Sequence, residues 1–249
     1  MKTELFDYDL PKELIAQNPP KKRGTTNLLV LNKGTGDMEH RKYFDIPSYI
    51  KEGDVVVLNK TKVVKARIFP VVERTGKTVE LLFLDKIGRN RWHCLIGRAK
   101  DVVIGDKLVL NEFTVTIIDR EDNDPGFIVE VENSNELMEK YGHVPLPPYI
   151  KREDNFDDRQ RYNTVFAEND GSVAAPTASL NLTEEIIDKI KKAGASICYV
   201  DLTVGWGTFA PLNTESIEDF HIHGEYVEVG KETVDMVNSC KGRVWAFGT

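Results

Sequence analysis

The most constraining feature of the chain is a run of short, strand-like segments between residues 63 and 132. Five segments of five to seven residues follow one another, separated by glycine or charged turn residues: TVELLFL, RWHCLIG, DKLVL, FTVTIID and GFIVEVE. Short strands at this spacing are typical of a small antiparallel barrel or sandwich. We therefore expect one all-β unit in the middle of the chain.

Prolines follow this unit. The segment VPLPPYIKR holds three prolines within four positions, and proline continues neither a helix nor a central strand. We expect an extended crossing here, which leads the chain out of the β unit and into a second domain.

The residues on either side of the β unit have the pattern of an α/β domain. Before it, the sequence predicts a short helix at ELIAQ and strands at NLLVL and DVVVLN. After it, Thr183 can cap a helix that carries Glu184 and Glu185 in its first turn and ends at Gly194. A second helix is predicted at KETVDMVNSCKG, and the strands predicted in this part are SICYVDLTVG, EYVEV and RVWAFG.

These patterns predict a mixed α+β fold, in which an α/β domain is interrupted by an inserted antiparallel β-barrel domain. With 249 residues, the chain is long enough for two such units. We expect residues 1–62 and 150–249 to form the discontinuous α/β domain and residues 63–149 to form the barrel.

Composition restricts the location and the partners of the protein. The first twenty residues are too charged and too proline-rich for a signal peptide, and no apolar run approaches the roughly 18 residues of a membrane span. The three cysteines are widely spaced and form no CxxC pair, so neither a disulfide framework nor a zinc knuckle is predicted. We expect a cytoplasmic monomer that does not contact a membrane.

The net charge of −7 argues against indiscriminate binding to nucleic acid, because phosphate contacts need local positive charge. Basic residues nevertheless cluster at two places. Four of them lie within eight residues and four within eleven: Lys60, Lys62, Lys65 and Arg67, and Lys151, Arg152, Arg159 and Arg161. Each cluster is either a local phosphate-binding surface or an ordinary solvated face.

Three other stretches have a composition that suits chemistry. GSVAAPTASLNLT (171–183) carries no charge and precedes a helix, so it is either a loop that a ligand approaches closely or a tightly packed loop. VGWGTFAP (204–211) follows a predicted strand, where Trp206 and Phe209 either stack on a base or are buried in a glycine turn.

The third stretch, FHIHGEYVEV, places His221, His223 and Glu225 on one face if it is a strand. Such a face suits a metal site, polar pocket residues or plain surface. Neighbours on a single strand rarely form a metal site, and no remote ligand is obvious in the sequence. A hydrolase signature such as GxSxG is absent.

Six segments, taken in order, identify the chain as similar to a known family. They are FDYDLPKELIAQNPP, VLNKTKVVKARI, VPLPPYI, RYNTVFAENDGSVAAPTASLNLT, VGWGTFAP and IHGE, and they extend over nearly the whole chain. In these segments the chain resembles the S-adenosylmethionine:tRNA ribosyltransferase-isomerase family. The fold of that family, an α/β domain interrupted by a β-barrel, agrees with the fold predicted above.

The resemblance implies an unusual reaction. The ribosyl part of S-adenosylmethionine is transferred and isomerised onto an aminomethyl-deazaguanine at the anticodon wobble position of tRNA, which gives epoxyqueuosine and releases adenine and methionine. The implied partners are therefore tRNA and S-adenosylmethionine as co-substrate, with no prosthetic group and no metal. The sulfonium acidifies the adjacent ribose carbon, so a positioned base can start an elimination.

The chain also departs from the family pattern. Family histidines are replaced by Asn181 and Thr203, and a third aligns with Phe220, whereas His223 and Glu225 are retained. The chain ends at AFGT where the family continues with a further helix, so it is either truncated or a shortened relative.

The resemblance assigns roles to three groups of residues. The expected catalytic residues are His223, Glu225, Asn181 and Thr203. The expected substrate-binding residues are Tyr162, Thr164, Pro176, Thr177, Gly205, Gly207, Thr208 and Phe209. The expected tRNA-binding residues are Lys60, Lys62, Lys65, Arg67, Lys151 and Arg152. Two alternatives stay open: a divergent member that acts on another acceptor, and a catalytically silent RNA-binding module.

Overall fold

The structure is a computed structural model, and it describes residues 1–120, 126–209, 212–222 and 224–248. Within these ranges the chain forms fifteen strands and four α-helices. The strands are β1 (Asn27–Leu31), β2 (Met38–Lys42), β3 (Val55–Asn59), β4 (Thr61–Val63), β5 (Arg67–Ile68), β6 (Val71–Val72), β7 (Leu81–Lys86), β8 (Arg91–Ile96), β9 (Lys107–Leu110), β10 (Phe113–Arg120), β11 (Phe127–Val131), β12 (Asn169–Ser172), β13 (Ser196–Leu202), β14 (Val227–Val229) and β15 (Val244–Phe247). The helices are α1 (Ser134–Tyr141), α2 (Phe156–Arg161), α3 (Glu184–Lys192) and α4 (Lys231–Asn238).

The middle of the chain forms one antiparallel sheet of seven strands in the order β5-β7-β8-β11-β10-β9-β6. Only Phe69 and Pro70 separate the two edge strands β5 and β6 in sequence, so the edges of the sheet lie near each other and the sheet curls toward a barrel. Its interior holds fully buried side chains such as Phe83, Ile117 and Phe127. The predicted antiparallel barrel is confirmed.

A second sheet is built from segments that precede and follow the barrel in sequence. Its order is β14-β13-β3-β15; β3 runs parallel to both β13 and β15, and β14 pairs antiparallel with β13. Helix α3 packs on this sheet through Ile186 and Ile190, which share a core with Val56 and Leu58. The predicted α/β unit interrupted by a barrel is therefore present.

Hydrogen bonds at the turn before β3 join distant parts of the chain. The buried carboxylate of Asp54 accepts hydrogen bonds from the main-chain amides of Lys51 (3.0 Å) and Arg243 (2.8 Å) and from the indole of Trp245 (2.8 Å). Because these donors lie on two separate segments, the carboxylate fixes the start of β15 beside the start of β3.

Side chains at the junction of the two units form a smaller core. Val63, Val144, Tyr162 and Ala175 pack together there. Asn163 reinforces the junction, because its Oδ1 accepts a hydrogen bond from the main-chain amide of Val63 at 2.8 Å. The segments that link the barrel to the α/β sheet therefore pack against one another, and clefts form where the two units meet.

Several local predictions differ from the structure. The predicted helix at ELIAQ is a single 3-10 turn at Lys12–Leu14, since the chain soon meets Pro19 and Pro20 and has no room for a longer helix. Strand β14 begins only at Val227, later than predicted. Helices α1 and α2 were not predicted. Across the described ranges the longest helix has nine residues, and none has the length and hydropathy of a bilayer span.

Candidate active site

A cleft of about 270 Å³ lies between the barrel and the α/β sheet, and we call it the central cleft. Its barrel wall is formed by Leu84 and Asp85 of β7 and by His93 and Leu95 of β8. Its opposite wall is formed by the chain that follows β13 and by the residues just before β14. Two separate parts of the fold thus contribute polar side chains to one cavity.

The turn after β13 is held by a buried amide side chain. Asn59, at the end of β3, donates from Nδ2 to the carbonyl of Leu202 at 2.9 Å and accepts from the amide of Leu202 at 3.1 Å. Thr203 then donates its main-chain amide to the carbonyl of Tyr226 at 2.9 Å. These bonds direct residues 203–207 into the central cleft, which Thr203, Gly205 and Gly207 line.

Glu225 faces the same turn from the other side. Its Oε1 accepts a hydrogen bond from the main-chain amide of Gly205 at 2.9 Å, and the residue is otherwise exposed. A carboxylate anchored by one oxygen keeps its second oxygen available to a ligand. Glu225 is therefore the acidic side chain that the α/β sheet presents to the central cleft.

A second, smaller cleft of about 180 Å³ lies beyond the carboxyl ends of β3 and β15, and we call it the strand-end cleft. Pro176, Thr208 and Glu225 line it together with Asn59. The strand-end cleft and the central cleft share Val204 and Glu225, so they are adjoining parts of one surface. Open α/β sheets bind ligands at this end of their strands.

The aromatic residues of VGWGTFAP contact each other. Trp206 and Phe209 lie edge to face with ring centroids 5.5 Å apart, in a 3-10 turn at Trp206–Phe209. Trp206 also packs against the barrel core and lines the central cleft. Its ring therefore contacts the protein on one side and the cavity on the other, which is compatible with both interpretations of this stretch.

The uncharged stretch 171–183 is a packed loop that borders three cavities. Ser172, Val173, Ala174, Ala175 and Leu182 are buried. The hydroxyl of Ser172 hydrogen-bonds to that of Thr61 at 2.6 Å and accepts from the amide of Val204 at 2.8 Å. The small residues therefore allow the chain to run beneath the site and support the turn at 203–207.

The third cavity is a groove of about 360 Å³ that we call the proline groove, because Pro19, Pro20 and Pro147 line it. Tyr162, Thr177 and Asn181 also line this groove. Burial raises the pKa of Tyr162, so its phenol stays protonated at neutral pH. Thr164 follows Tyr162 by two positions in the sequence. It is buried and lines none of the three cavities.

The expected catalytic and substrate-binding residues thus fall into separate places. Thr203 and Glu225 meet in the central cleft, while Asn181 lies in the proline groove. Phe220 follows a 3-10 turn at Ile217–Asp219 and lines none of these cavities. His223 lies outside the described residues, and His221 is exposed.

Five of the six expected tRNA-binding residues are paired with acidic side chains. Lys60 contacts Glu168 at 2.8 Å, and Lys62 contacts Asp170 at 3.0 Å. The other ion pairs in these groups are Lys65 with Glu139 at 2.9 Å, Arg67 with Glu80 at 3.6 Å and Arg152 with Asp158 at 2.6 Å. Lys151 donates from Nζ to the carbonyl of Pro148 at 2.6 Å. Phosphate would have to compete with these partners.

Residues His93 and Asp85 were not expected at the site. Nδ1 of His93 lies 3.9 Å from Oδ2 of Asp85, and the histidine side chain is largely buried. In the sequence His93 is one position within a strand-like run, and no motif marks it. Only the folded structure shows that it lines the same cleft as Thr203 and Glu225.

Among the described residues, no group of three histidine, cysteine, aspartate or glutamate side chains is arranged to hold a metal ion. The expectation that Glu225 and His223 bind no metal stays a prediction, since His223 is not described.

Comparison with known proteins decides the family. Residues 3–249 match the family model described as "Queuosine biosynthesis protein". The chain belongs to this family. The predicted relationship is therefore confirmed over almost the whole chain.

The most informative relatives are curated proteins named S-adenosylmethionine:tRNA ribosyltransferase-isomerase. The protein of Sulfurihydrogenibium sp. (strain YO3AOP1) is 42% identical over 242 residues, which cover 97% of this chain and 72% of the relative. The protein of Staphylococcus haemolyticus is 42% identical over 256 residues, which cover 100% of this chain and 74% of the relative. The chain thus spans about three quarters of their length.

A solved structure is also similar to the chain. The crystal structure of an S-adenosylmethionine tRNA ribosyltransferase from Thermotoga maritima is 28% identical, with a TM-score of 0.42. The match covers 97% of this chain and 68% of that one.

Proposed function

We propose that the protein transfers and isomerises the ribosyl group of S-adenosylmethionine onto a base of tRNA. The observation that carries this proposal is the 42% identity, over essentially the full chain, to relatives that bear the name of this activity. The acceptor is the aminomethyl-deazaguanine at the wobble position, and the product is epoxyqueuosine.

The arrangement of the clefts supports a site for S-adenosylmethionine at the carboxyl end of the parallel sheet. The central and strand-end clefts adjoin at Glu225, and together they offer room for a nucleoside with an extended side chain. The uncharged segment 171–183 borders both clefts through Val173 and Pro176. Its neutrality suits a cationic sulfonium, because no lysine or arginine of the segment repels it.

Glu225 is the base that we assign to the first step. The sulfonium withdraws electrons from the adjacent ribose carbon, so a carboxylate beside that carbon can remove a proton. The Gly205 amide holds the carboxylate in place, while Thr203 offers a hydroxyl on the same wall. As the reaction proceeds, the bond from the ribosyl group to adenine and the bond to sulfur break, and adenine and methionine leave.

The tRNA surface in this proposal includes the basic residues near the junction of the two units. Lys60, Lys62 and Arg67 lie on or beside strands that connect the α/β sheet to the barrel. An enzyme that modifies a base must take it out of its stack, which costs a few kcal/mol that binding has to offset. Contacts with the phosphates around the extracted base supply part of that free energy.

Adenine release provides the test. The purified protein is incubated with S-adenosylmethionine, with and without tRNA that carries the aminomethyl-deazaguanine, and adenine is quantified by chromatography. We expect release only with that tRNA, and a mass increase of the modified base that matches epoxyqueuosine. Release with a different acceptor would identify a divergent enzyme. Binding of tRNA without adenine release would identify a silent RNA-binding module and would refute the proposal.

A further inference from the structure

A bulge in strand β12 turns the side chain of Ser172 into the protein. Asp170 of β12 pairs with Lys62 of β4. The next pair is Ser172 with Val63, which leaves Gly171 as an extra residue in the ladder. In a regular strand Ser172 would share the exposed face of Asp170, because side chains alternate between the two faces. The bulge moves Ser172 to the opposite face, where it is completely buried.

The buried hydroxyl of Ser172 has two partners. It hydrogen-bonds to the hydroxyl of Thr61, which is also buried, at 2.6 Å, and it accepts from the main-chain amide of Val204 at 2.8 Å. The next two residues of the chain bind the same residue, since the carbonyl of Val204 accepts from the amides of Val173 (3.1 Å) and Ala174 (3.3 Å). The peptide groups on both sides of Val204 are therefore fixed.

The second of these peptide groups directs a donor at Glu225. The carbonyl of Val204 and the amide of Gly205 belong to one planar trans peptide, so they point in opposite directions. While the carbonyl is bound by the loop, the amide donates to Oε1 of Glu225 at 2.9 Å. The position of the carboxylate thus depends on the orientation of Val204, which Ser172 helps to set.

We propose that Ser172, supported by Thr61, is a positioning residue that fixes the Gly205 amide and, through it, the carboxylate of Glu225. This inference rests on the proposed function, in which Glu225 is the base. Neither Ser172 nor Thr61 lines the central cleft, the strand-end cleft or the proline groove, so their effect on the reaction is indirect. Glu225 is exposed, and a misplacement of about 1 Å can lower a rate by about 10²-fold.

The first test is Ser172→Ala, which removes the acceptor of the Val204 amide. We expect kcat for tRNA-dependent adenine release to fall by about 10²-fold, with a much smaller change in the KM for S-adenosylmethionine. Thr233→Val is the matched control, because Thr233 is also buried in the α/β unit and donates its hydroxyl to the carbonyl of Tyr199 at 2.7 Å. This control should lose thermal stability and keep the wild-type kcat.

Two substitutions at Thr61 separate the hydroxyl from the packing of its methyl group. Thr61→Val keeps the volume of the side chain and loses the hydroxyl, whereas Thr61→Ser keeps the hydroxyl and loses the methyl group. We expect kcat to fall in Thr61→Val and to stay near the wild-type value in Thr61→Ser, whichever of the two is the less stable. An equal loss in both variants, or a larger loss in Thr61→Ser, would show a packing role and would overturn the proposal.

A double-mutant cycle tests the route through Glu225. Because positioning matters only while the base is present, Ser172→Ala should lower kcat far less in a Glu225→Gln background than in the wild type. Equal fold losses in the two backgrounds would show that Ser172 acts independently of Glu225, which would overturn this inference and leave the proposed function intact. Absence of adenine release from the wild-type protein with precursor tRNA would overturn the proposed function, and this inference with it.

Discussion

The main-chain amide of Gly205 donates a hydrogen bond to Oε1 of Glu225 at 2.9 Å, and this contact joins the turn after β13 to the segment before β14. Both segments line the central and strand-end clefts. The bond therefore fixes the position of a carboxylate at the boundary of the two cavities, where the proposed reaction needs a base.

Glu225→Gln should separate the charge of this side chain from its structural contact. Glutamine keeps a carbonyl oxygen that can accept from Gly205, but it cannot remove a proton. We expect adenine release to fall by about 10²–10⁴-fold, with little change in thermal stability or in affinity for S-adenosylmethionine. Glu228→Gln, on the exposed strand β14, is the control. Normal turnover in Glu225→Gln would assign the base elsewhere.

The pH dependence of stability should reveal the anchor at Asp54. Hydrogen bonds hold the pKa of this carboxyl below its usual value, the largest effect coming from the Arg243 main-chain amide. Because the folded-state pKa is lowered, the stabilisation is fully present above the unfolded-state pKa of about 3.9 and is lost as the pH falls below it.

Asp54→Asn should therefore lower the free energy of unfolding at pH 7 by about 2 kcal/mol, since an amide cannot accept from all of these donors. Urea denaturation at several pH values would measure the difference in the free energy of unfolding between this variant and the wild type. The difference should stay constant from neutral to mildly acidic pH and should become smaller at more acidic pH. Asp235→Asn, at an exposed position on α4, should show no such difference. A constant deficit down to the most acidic pH would contradict this explanation.

The basic residues near the junction lead to a prediction about salt. Lys62 is half exposed and pairs with Asp170 at 3.0 Å. If Lys62 contacts a tRNA phosphate, Lys62→Ala should weaken binding and reduce the slope of log affinity against log salt by about one. Asp170→Asn should strengthen binding at low salt, because it releases the lysine from its acidic partner.

Filter binding or fluorescence anisotropy at several salt concentrations would measure both effects. Lys192→Ala, at the end of α3 and far in sequence from the junction, is the control. An unchanged slope in Lys62→Ala would remove this lysine from the tRNA surface.

The sequence predicted the barrel and the α/β domain because their strands have strong local patterns. Thr183 caps α3 as expected, accepting from the amide of Ile186 at 3.2 Å. The position of His93 could not be predicted, because it depends on a bulge in β7 and on the docking of the barrel against residues 203–207. Such long-range contacts do not produce a periodic pattern of residues in the sequence.

The placement of the expected catalytic residues in two different cavities could not be predicted from the sequence either. The resemblance placed Asn181 and Thr203 at family histidine positions and assigned both to the expected catalytic residues. The structure puts Asn181 in the proline groove and Thr203 in the central cleft, because the loop 171–183 passes between these cavities. Sequence alignment identifies which residues belong to a function, but it does not say which of two neighbouring cavities each one faces.

This division predicts different outcomes for two matched substitutions. Thr203→His would place an imidazole on the wall of the central cleft that carries Glu225, whereas Asn181→His would place one beside Tyr162 and Thr177. An imidazole titrates near neutral pH and neither threonine nor asparagine does, so a new proton-transfer group can appear only where the reacting atoms lie. We expect Thr203→His to raise the rate of adenine release at saturating substrate, and Asn181→His to leave that rate nearly unchanged.

The affinity for precursor tRNA, measured separately, tests whether the proline groove instead contacts the acceptor. In that case Asn181→His alters binding and not turnover. A rate gain in Asn181→His, with none in Thr203→His, would mean that the chemistry takes place in the proline groove and would require the assignment of Glu225 to be withdrawn.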